Sequence, residues 1–196
     1  MSTALILAYV GVVLMVGVSG LASAVATARC GMAAVGALKK NSGAFGSYMI
    51  LSALPGSQGL YGFVGYFMIS GYICEGMPMI TAVGIFGAGL LMAIVCLSSA
   101  LFQAKVCANG IAAIGNGNDV MGKTLILAAF PELYAILGVA ATFLVSSAIS
   151  PEGLTAQAEL NEKYEAAPLV VDEAPATADE TVVDFNEVVE TIADVE

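Results

Sequence analysis

One carboxylate, Glu132, stands in the long apolar stretch LAAFPELYAILGVAATFLV. A charged side chain at the centre of a membrane-spanning helix costs about 2.5 to 3.5 kcal/mol on insertion scales. Acids that occur in such places usually belong to ion or proton pathways, because only a function offsets that cost. Glu132 is therefore the first candidate for chemistry in this chain, with cation or proton binding as its expected role.

Polar side chains are predicted to lie at the same depth as this acid. The connection between the third and fourth apolar segments is centred near residue 117, and Gln103 precedes this centre by nearly the same distance as Glu132 follows it. At about 1.5 Å per helical residue, both are roughly 21 Å from the turn. The segment LPGSQGLYGF reaches a similar depth in the first hairpin. Four of its residues have the spacing i, i+3, i+4, i+7 of one helix face: Leu54, Ser57, Gln58 and Tyr61.

These side chains supply one carboxylate, two amide oxygens, a hydroxyl and a phenol. Each needs a partner when buried, so we expect them to bond one another. Such a set suits one small, hard, monovalent cation whose charge the single carboxylate balances. The alternative from the residues alone is a hydrogen-bonded polar plug with Glu132 protonated, serving only to orient helices. Pro55 removes one backbone N–H, which frees a carbonyl one turn earlier, while Gly56 and Gly59 allow the backbone to bend there.

The composition predicts an all-α integral membrane protein. The 196 residues are 59% hydrophobic and 11% charged, with a mean hydropathy of +0.90, which excludes an ordinary soluble domain. A helix needs about 20 apolar residues to cross a bilayer. Four segments qualify: roughly 3–36, 44–73, 78–114 and 120–149. Several exceed the minimum, so we expect them to tilt or project beyond the lipid.

The two halves of the apolar region align without a gap when the sequence is shifted by 76 residues. Gly11 then falls on Gly87, and Pro55 on Pro131. Two spans separate equivalent positions, so the repeats are parallel tandem hairpins rather than inverted ones. Glu132 aligns with Gly56 in the first hairpin, which predicts one acid and therefore one ion per protomer.

We expect three parts: a first transmembrane hairpin (1–76), a second hairpin carrying the carboxylate (77–150) and an acidic, disordered C-terminal tail (151–196). Thirteen of the 16 acidic residues lie in this tail. Basic residues favour the cytoplasmic side, and three of them flank the first and third connections: Lys39, Lys40 and Lys123. The predicted orientation in the cell (inner) membrane therefore has these two connections cytoplasmic and both termini outside.

Small residues recur along the first and third segments, as in GVVLMVGVSGLASAVATA and GIFGAGLLMAIVCLSSA. Small side chains let helix backbones approach closely in lipid. Two interpretations remain open at this point. One is close packing inside a single four-helix bundle, and the other is a tightly curved inner wall where many copies meet.

Three motifs carry a resemblance to a known family: LPGSQGLYGF, FQAKVCANGI and PELYAILG. Residues 3–150 resemble the proteolipid K subunit, the c-type rotor subunit of bacterial V/A-type rotary ATPases, including its sodium-translocating branch. The resemblance implies a homo-oligomeric ring of four-helix protomers in the lipid bilayer. It also implies a central stalk subunit bound below the ring, and a stator membrane subunit that presents an arginine at its side. No nucleic acid partner is expected.

The resemblance also implies a site. In the sodium-moving branch the ion is held by side chains that match Ser57, Gln58, Gln103 and Glu132 and by a carbonyl that matches Leu54, while a tyrosine that matches Tyr61 steadies the carboxylate. The complete oxygen set favours Na⁺ as the transported ion, with H⁺ as the alternative for the same rotor role. The chain itself is expected to perform no catalysis, since it contains no phosphate-binding loop and the ATP chemistry belongs to other subunits.

Two rival functions remain from the sequence. A stand-alone four-helix carrier or channel would use Glu132 as its substrate acid, but it would be expected to have a second carboxylate where Gly56 stands. A purely structural membrane protein would use the polar residues only to lock its helices together.

Overall fold

A computed structural model describes residues 2–166, and all regular structure within them is helical. The first span contains α1 (Thr3–Val13), a π-helical turn (Leu14–Val18) and α2 (Ser19–Leu38). The second contains α3 (Phe45–Ala53) and α4 (Ser57–Ile69). Two long helices follow, α5 (Met79–Gly115) and α6 (Met121–Ala148), and then α7 (Pro151–Ala166).

The predicted all-α membrane fold of tandem hairpins is confirmed. Three continuous helices among the described residues are long and apolar enough to cross a bilayer, and they span Thr3–Leu38, Met79–Gly115 and Met121–Ala148. The second predicted segment (44–73) is also helical, but a short 3₁₀ turn (Leu54–Gly56) divides it into α3 and α4.

The turn between α3 and α4 has a local cause. Pro55 cannot donate a backbone hydrogen bond, so the α-helical ladder is interrupted there. The Ser57 N–H instead bonds the Leu54 carbonyl three residues earlier, which is the 3₁₀ pattern. In α6, Pro131 lies inside a helix that continues without such a turn. The break therefore distinguishes the first hairpin from the second, immediately beside the predicted site.

Small side chains bring the helices close together. Gly11 of α1 lies directly against Gly89 of α5, and Gly62 of α4 lies against the backbone of Met15. A Cβ at Gly62 would approach the Met15 carbonyl oxygen to 2.5 Å, so no larger residue fits without movement. Lipid tails are as apolar as the side chains, so apolar side chains gain little free energy by exchanging lipid contacts for contacts with another helix. Helices in lipid associate instead through close backbone approach of this kind.

The first and third connections meet at one end of the molecule. The Lys40 Nζ donates to Asn116 Oδ1 at 2.8 Å, and the Asn41 amide donates to the Ile114 carbonyl at 3.4 Å. Gly117 ends α5 with a left-handed φ of +89°, a conformation that glycine adopts without strain. The pairing places the three predicted cytoplasmic lysines, Lys39, Lys40 and Lys123, on connections that share an end.

The tail prediction needs a correction. Residues 151–166 were expected to be disordered, but they form the helix α7. Ser150 initiates it, since its hydroxyl oxygen accepts the Gly153 N–H at 3.0 Å as an N-terminal cap does. Acidic composition alone did not reveal this cap. The rest of the predicted disordered tail, 167–196, lies outside the described residues.

Candidate functional site

Glu132 lies on α6, directly after Pro131, and its side chain is partly buried. Both carboxylate oxygens accept hydrogen bonds. Oε1 accepts from the Tyr61 hydroxyl at 2.7 Å, and Oε2 accepts from the Gln103 amide Nε2 at 3.0 Å. The acid therefore joins three helices, because Tyr61 lies on α4 and Gln103 on α5.

Gln103 is fully buried and connects the carboxylate to the interior of the site. Its Nε2 donates a second bond to the Ala128 carbonyl at 3.0 Å, one turn before Glu132 on α6. Its Oε1 accepts from the Gln58 amide at 2.8 Å. Both ends of the Gln103 amide are thus held, which fixes the side chain across the gap between α4 and α6.

Gln58 is also fully buried, and its amide is satisfied at the nitrogen but not at the oxygen. Its Nε2 donates to Ser99 Oγ at 3.0 Å as well as to Gln103 Oε1. Its Oε1, however, has no hydrogen-bond partner within the described part of the protein. A buried acceptor without a partner costs about 1–3 kcal/mol, and a cation or a hydrogen-bond donor beside this oxygen would offset that cost.

Ser57 and Leu54 lie one turn earlier and bond each other. The Ser57 hydroxyl donates to the Leu54 carbonyl at 3.2 Å, and both residues are partly buried. Neither forms a hydrogen bond to Glu132. The hydroxyl oxygen of Ser57 retains its own lone pairs, so it remains available as an acceptor or ligand. Of the six predicted site residues, four form one connected network, and these two flank it.

The donor set consists of neutral oxygens and one acid. Within residues 2–166, no three residues of the types His, Cys, Asp and Glu gather as they do in a transition-metal site. A single carboxylate with amide, hydroxyl and carbonyl oxygens balances one positive charge. The arrangement can therefore hold a monovalent cation or a proton.

Two serines that we did not predict lie at the site: Ser99 joins the network, and Ser23 holds the backbone beside it. Ser99 accepts from Gln58, while Ser23 Oγ accepts the Gly59 backbone N–H at 2.8 Å, just after the 3₁₀ turn. The sequence did contain a signal for them. Ser23 aligns with Ser99, so the two serines occupy equivalent positions in the two repeats.

Comparison with known proteins identifies the family. The family model for the C subunit of ATP synthase matches twice, at residues 10–69 and 86–145. The chain belongs to the ATP synthase C-subunit family. Residues 10 and 86, at which the two matches begin, are equivalent positions in the alignment of the two repeats.

Two curated relatives extend the result. The chain is 38% identical to the V-type sodium ATPase subunit K of Enterococcus hirae over 127 residues, 65% of this chain and 81% of the relative. It is 31% identical to the A-type ATP synthase subunit K of Methanocaldococcus jannaschii over 141 residues, 72% of this chain and 62% of that relative. The resemblance to V/A-type proteolipid K subunits is thereby confirmed.

Membership of this family carries three consequences for the chain. It is a membrane rotor subunit of an ion-translocating V/A-type ATPase or ATP synthase, it acts within an oligomeric c-ring with other ATPase subunits, and it has no catalytic chemistry of its own. The rival interpretations as a stand-alone carrier or a purely structural protein are therefore wrong.

Proposed function

We propose that this rotor subunit binds one Na⁺ per protomer at Glu132 and carries it across the membrane as the ring turns. ATP hydrolysis or synthesis in other subunits drives, or is driven by, this rotation. The observation that supports the proposal most directly is the Gln58 Oε1 atom, a buried oxygen without a partner among the described residues, in the network that includes the Glu132 carboxylate.

The proposed ligands are oxygens of Leu54 (its backbone carbonyl), Ser57, Gln58, Gln103 and Glu132, while Tyr61 holds the carboxylate in place. Na⁺ is a hard cation that prefers oxygen ligands. One positive charge and one carboxylate leave the loaded site neutral, which is the condition for a low cost in lipid. The name of the Enterococcus hirae relative specifies sodium, which agrees with this ligand set.

The partners follow from the need to load and unload the ion. A stator subunit with an arginine beside the ring displaces the cation from Glu132, so that the ion exchanges with water there. A central stalk subunit links the ring to the ATP-handling subunits. We propose that it binds at the end carrying the contact between Lys40 and Asn116, with these connections cytoplasmic and both termini outside.

We further propose that the working divisions of the chain are two hairpins, 1–76 and 77–150, followed by the acidic segment 151–196. Each hairpin contributes part of one site: Gln58 and Tyr61 come from the first, and Gln103 and Glu132 from the second. A site formed across the two hairpins explains why the duplicated chain functions with one acid.

Carbodiimide labelling tests the ion. The reagent modifies protonated carboxyl groups in apolar surroundings, so assembled rings are labelled at mildly acidic pH and the modified residue is identified by mass spectrometry. We expect Glu132 to react and NaCl to slow its labelling, while choline chloride at equal ionic strength does not. The Glu132→Gln variant provides the control for background reaction.

Two results would decide against sodium. If labelling falls as the pH rises but is indifferent to NaCl, the same rotor carries protons instead. If Glu132 is not labelled under any condition while the rings are intact, this acid is not the transport site.

A further inference from the structure

A cavity of about 240 Å³ lies at the end of the bundle opposite the first and third connections. The second connection (residues 71–78), the start of α5, the end of α6 and the start of α7 surround it. Most of its lining is apolar, and the lining includes Tyr72, Met77, Thr81, Ile149, Pro151 and Leu154. The ends of membrane-spanning helices lie at the boundary between hydrocarbon and head groups, where tyrosine is enriched. Both parts of a phospholipid are therefore within reach of this cavity.

One polar group in the lining has no partner. Thr81 is only 3% exposed, and its Oγ1 forms no hydrogen bond within the part of the chain that the structure describes. Buried hydroxyl groups in proteins are nearly always paired, with protein or with a bound molecule. A polar atom that enters the cavity would therefore satisfy this hydroxyl.

The first turn of α5, which contains Thr81, is not capped. The first N–H groups of any helix have no partner inside it, and Pro78 before α5 offers no capping side chain. The first repeat differs at the equivalent position, 76 residues earlier, where Ser2 Oγ accepts the Leu5 N–H at 3.3 Å. Leu5 is itself the residue equivalent to Thr81. The second repeat thus has free N–H donors and a hydroxyl in a turn that is capped and apolar in the first.

A second helix begins at the same cavity. Pro151 and Leu154 of the first turn of α7 line it, and Ser150 caps only the Gly153 N–H. The N-terminus of a helix carries a partial positive charge and binds phosphate readily. Two helix N-termini at one cavity therefore favour a negatively charged group there.

The surroundings of the cavity disfavour a simple anion. Two exposed carboxylates lie next to lining residues, Glu75 in the second connection and Glu152 in the first turn of α7. A free anion would be repelled by both of them. A ligand that carries an ammonium group close to its phosphate would be attracted by the carboxylates and by the helix N-termini together.

We propose that this cavity binds a phospholipid whose zwitterionic head group carries an ammonium, such as phosphatidylethanolamine. Its phosphate lies at the first turn of α5 and accepts a hydrogen bond from the Thr81 hydroxyl, while its ammonium pairs with Glu75 and Glu152. The start of an acyl chain packs against the apolar part of the lining. The family match ends at residue 145, so the α7 part of this site lies outside the region shared with the family. The inference holds whichever ion the ring carries.

The cysteine at the cavity provides the assay. Cys74 lines the cavity and is exposed, whereas Cys30, Cys96 and Cys107 are buried. Delipidated rings of the full-length chain are treated with a small maleimide, and alkylation of Cys74 is followed by mass spectrometry while lipid is added. We expect phosphatidylethanolamine to slow alkylation several-fold. Phosphatidylglycerol with the same acyl chains should need an about fivefold higher concentration for half protection, the effect of two exposed ion pairs.

Thr81→Val removes the hydroxyl and keeps the shape of the side chain. A hydrogen bond to a charged group is worth about a factor of ten, so the phosphatidylethanolamine concentration for half protection should rise about tenfold. Thr142→Val is the matched control, because Thr142 is equally buried but its hydroxyl already bonds the Gly138 carbonyl. This control should leave the protection of Cys74 unchanged.

A second set of variants keeps the proposal testable if Thr81→Val forms no rings. Glu75→Gln combined with Glu152→Gln changes only exposed side chains and should remove the preference for phosphatidylethanolamine over phosphatidylglycerol. Glu159→Gln, about 10 Å farther along α7, should keep that preference.

Four results would overturn the proposal: no protection of Cys74 by either lipid, equal or stronger protection by phosphatidylglycerol, protection unaffected by Thr81→Val in intact rings, or a preference that survives loss of both carboxylates. Carbodiimide labelling of Glu132 tests the ion site separately and is unaffected by any of these results.

Discussion

Replacing Gln58 by Met tests whether the unpartnered oxygen at the centre of the site is an ion ligand. Methionine is close to glutamine in length and shape, so the packing is largely kept while the proposed ligand oxygen is lost, together with the hydrogen bonds that the Gln58 amide nitrogen donates to Ser99 and Gln103. A hydrogen bond to a charged group is worth about 1.5–3 kcal/mol, and we take the same range for an oxygen facing the ion. Since about 1.4 kcal/mol is a factor of ten, Na⁺ binding should weaken roughly 10- to 100-fold.

The measurement is the NaCl concentration that halves the rate of carbodiimide labelling at Glu132. We expect this concentration to rise by the stated factor in Gln58→Met, with the labelling rate in the absence of Na⁺ little changed. Thr142→Val is the matched control, because Thr142 is equally buried on α6 but its hydroxyl bonds only the Gly138 carbonyl. Unchanged protection by Na⁺ in Gln58→Met would refute the assignment of Gln58 as a ligand.

Three further variants probe the same site and its packing. Tyr61→Phe removes the 2.7 Å bond to the carboxylate and should weaken protection by Na⁺ about tenfold, measured by the same labelling assay, without dissociating the ring. Glu132→Gln should abolish both labelling and Na⁺-dependent ATPase coupling in reconstituted vesicles; retained coupling would contradict the assignment. Gly62→Ala should destabilise the protein by about 1–3 kcal/mol, because its Cβ meets the Met15 carbonyl oxygen. Gly46→Ala, whose Cβ meets no atom, should leave the stability unchanged or raise it slightly, because alanine favours a helix over glycine. Both changes are measured by thermal unfolding followed by size-exclusion chromatography.

The sequence alone predicted that Gln103 and Glu132 lie at the same depth, because both are nearly equally far from the turn that joins their helices. The rise per residue is the same in both helices of a hairpin, so depth can be counted without knowing the packing. The structure places the two side chains in direct contact, with Gln103 Nε2 3.0 Å from the carboxylate. The same counting placed Gln58 and Tyr61 at this level, and both join the network.

Details within the network depend on rotations that the sequence does not encode in its spacing. Counting gives depth but not rotation about the helix axis, so it could not show that Gln58 turns its amide nitrogen toward Ser99 and leaves its oxygen free. Ser57 was expected among the mutually bonded side chains, yet it bonds the Leu54 carbonyl instead. A serine hydroxyl on a helix often bonds a backbone carbonyl three or four residues earlier, as Ser98 does in α5, and periodicity does not record this local competition.

Two helical features were also beyond the sequence analysis. The π-helical turn at Leu14–Val18 inserts an extra residue into one helical turn, and the apolar residues there carry no distinguishing pattern. The start of α7 depends on the single Ser150 cap, which the acidic composition of the following residues obscured. In both places the decisive interaction involves one backbone or hydroxyl group, whereas sequence patterns report averages over several turns.

The proposed site follows from what a bilayer demands of any charge that it contains. A ring in lipid has to keep its surface neutral, because a bare charge costs about 2.5 to 3.5 kcal/mol even on the most permissive scale. In the proposed site, neutrality comes from Glu132 with its cation. The equivalent position of the first hairpin is Gly56, which carries no charge and needs no ion. In the proposed cycle, turning the loaded ring past lipid is then inexpensive, and each protomer delivers one ion to the stator.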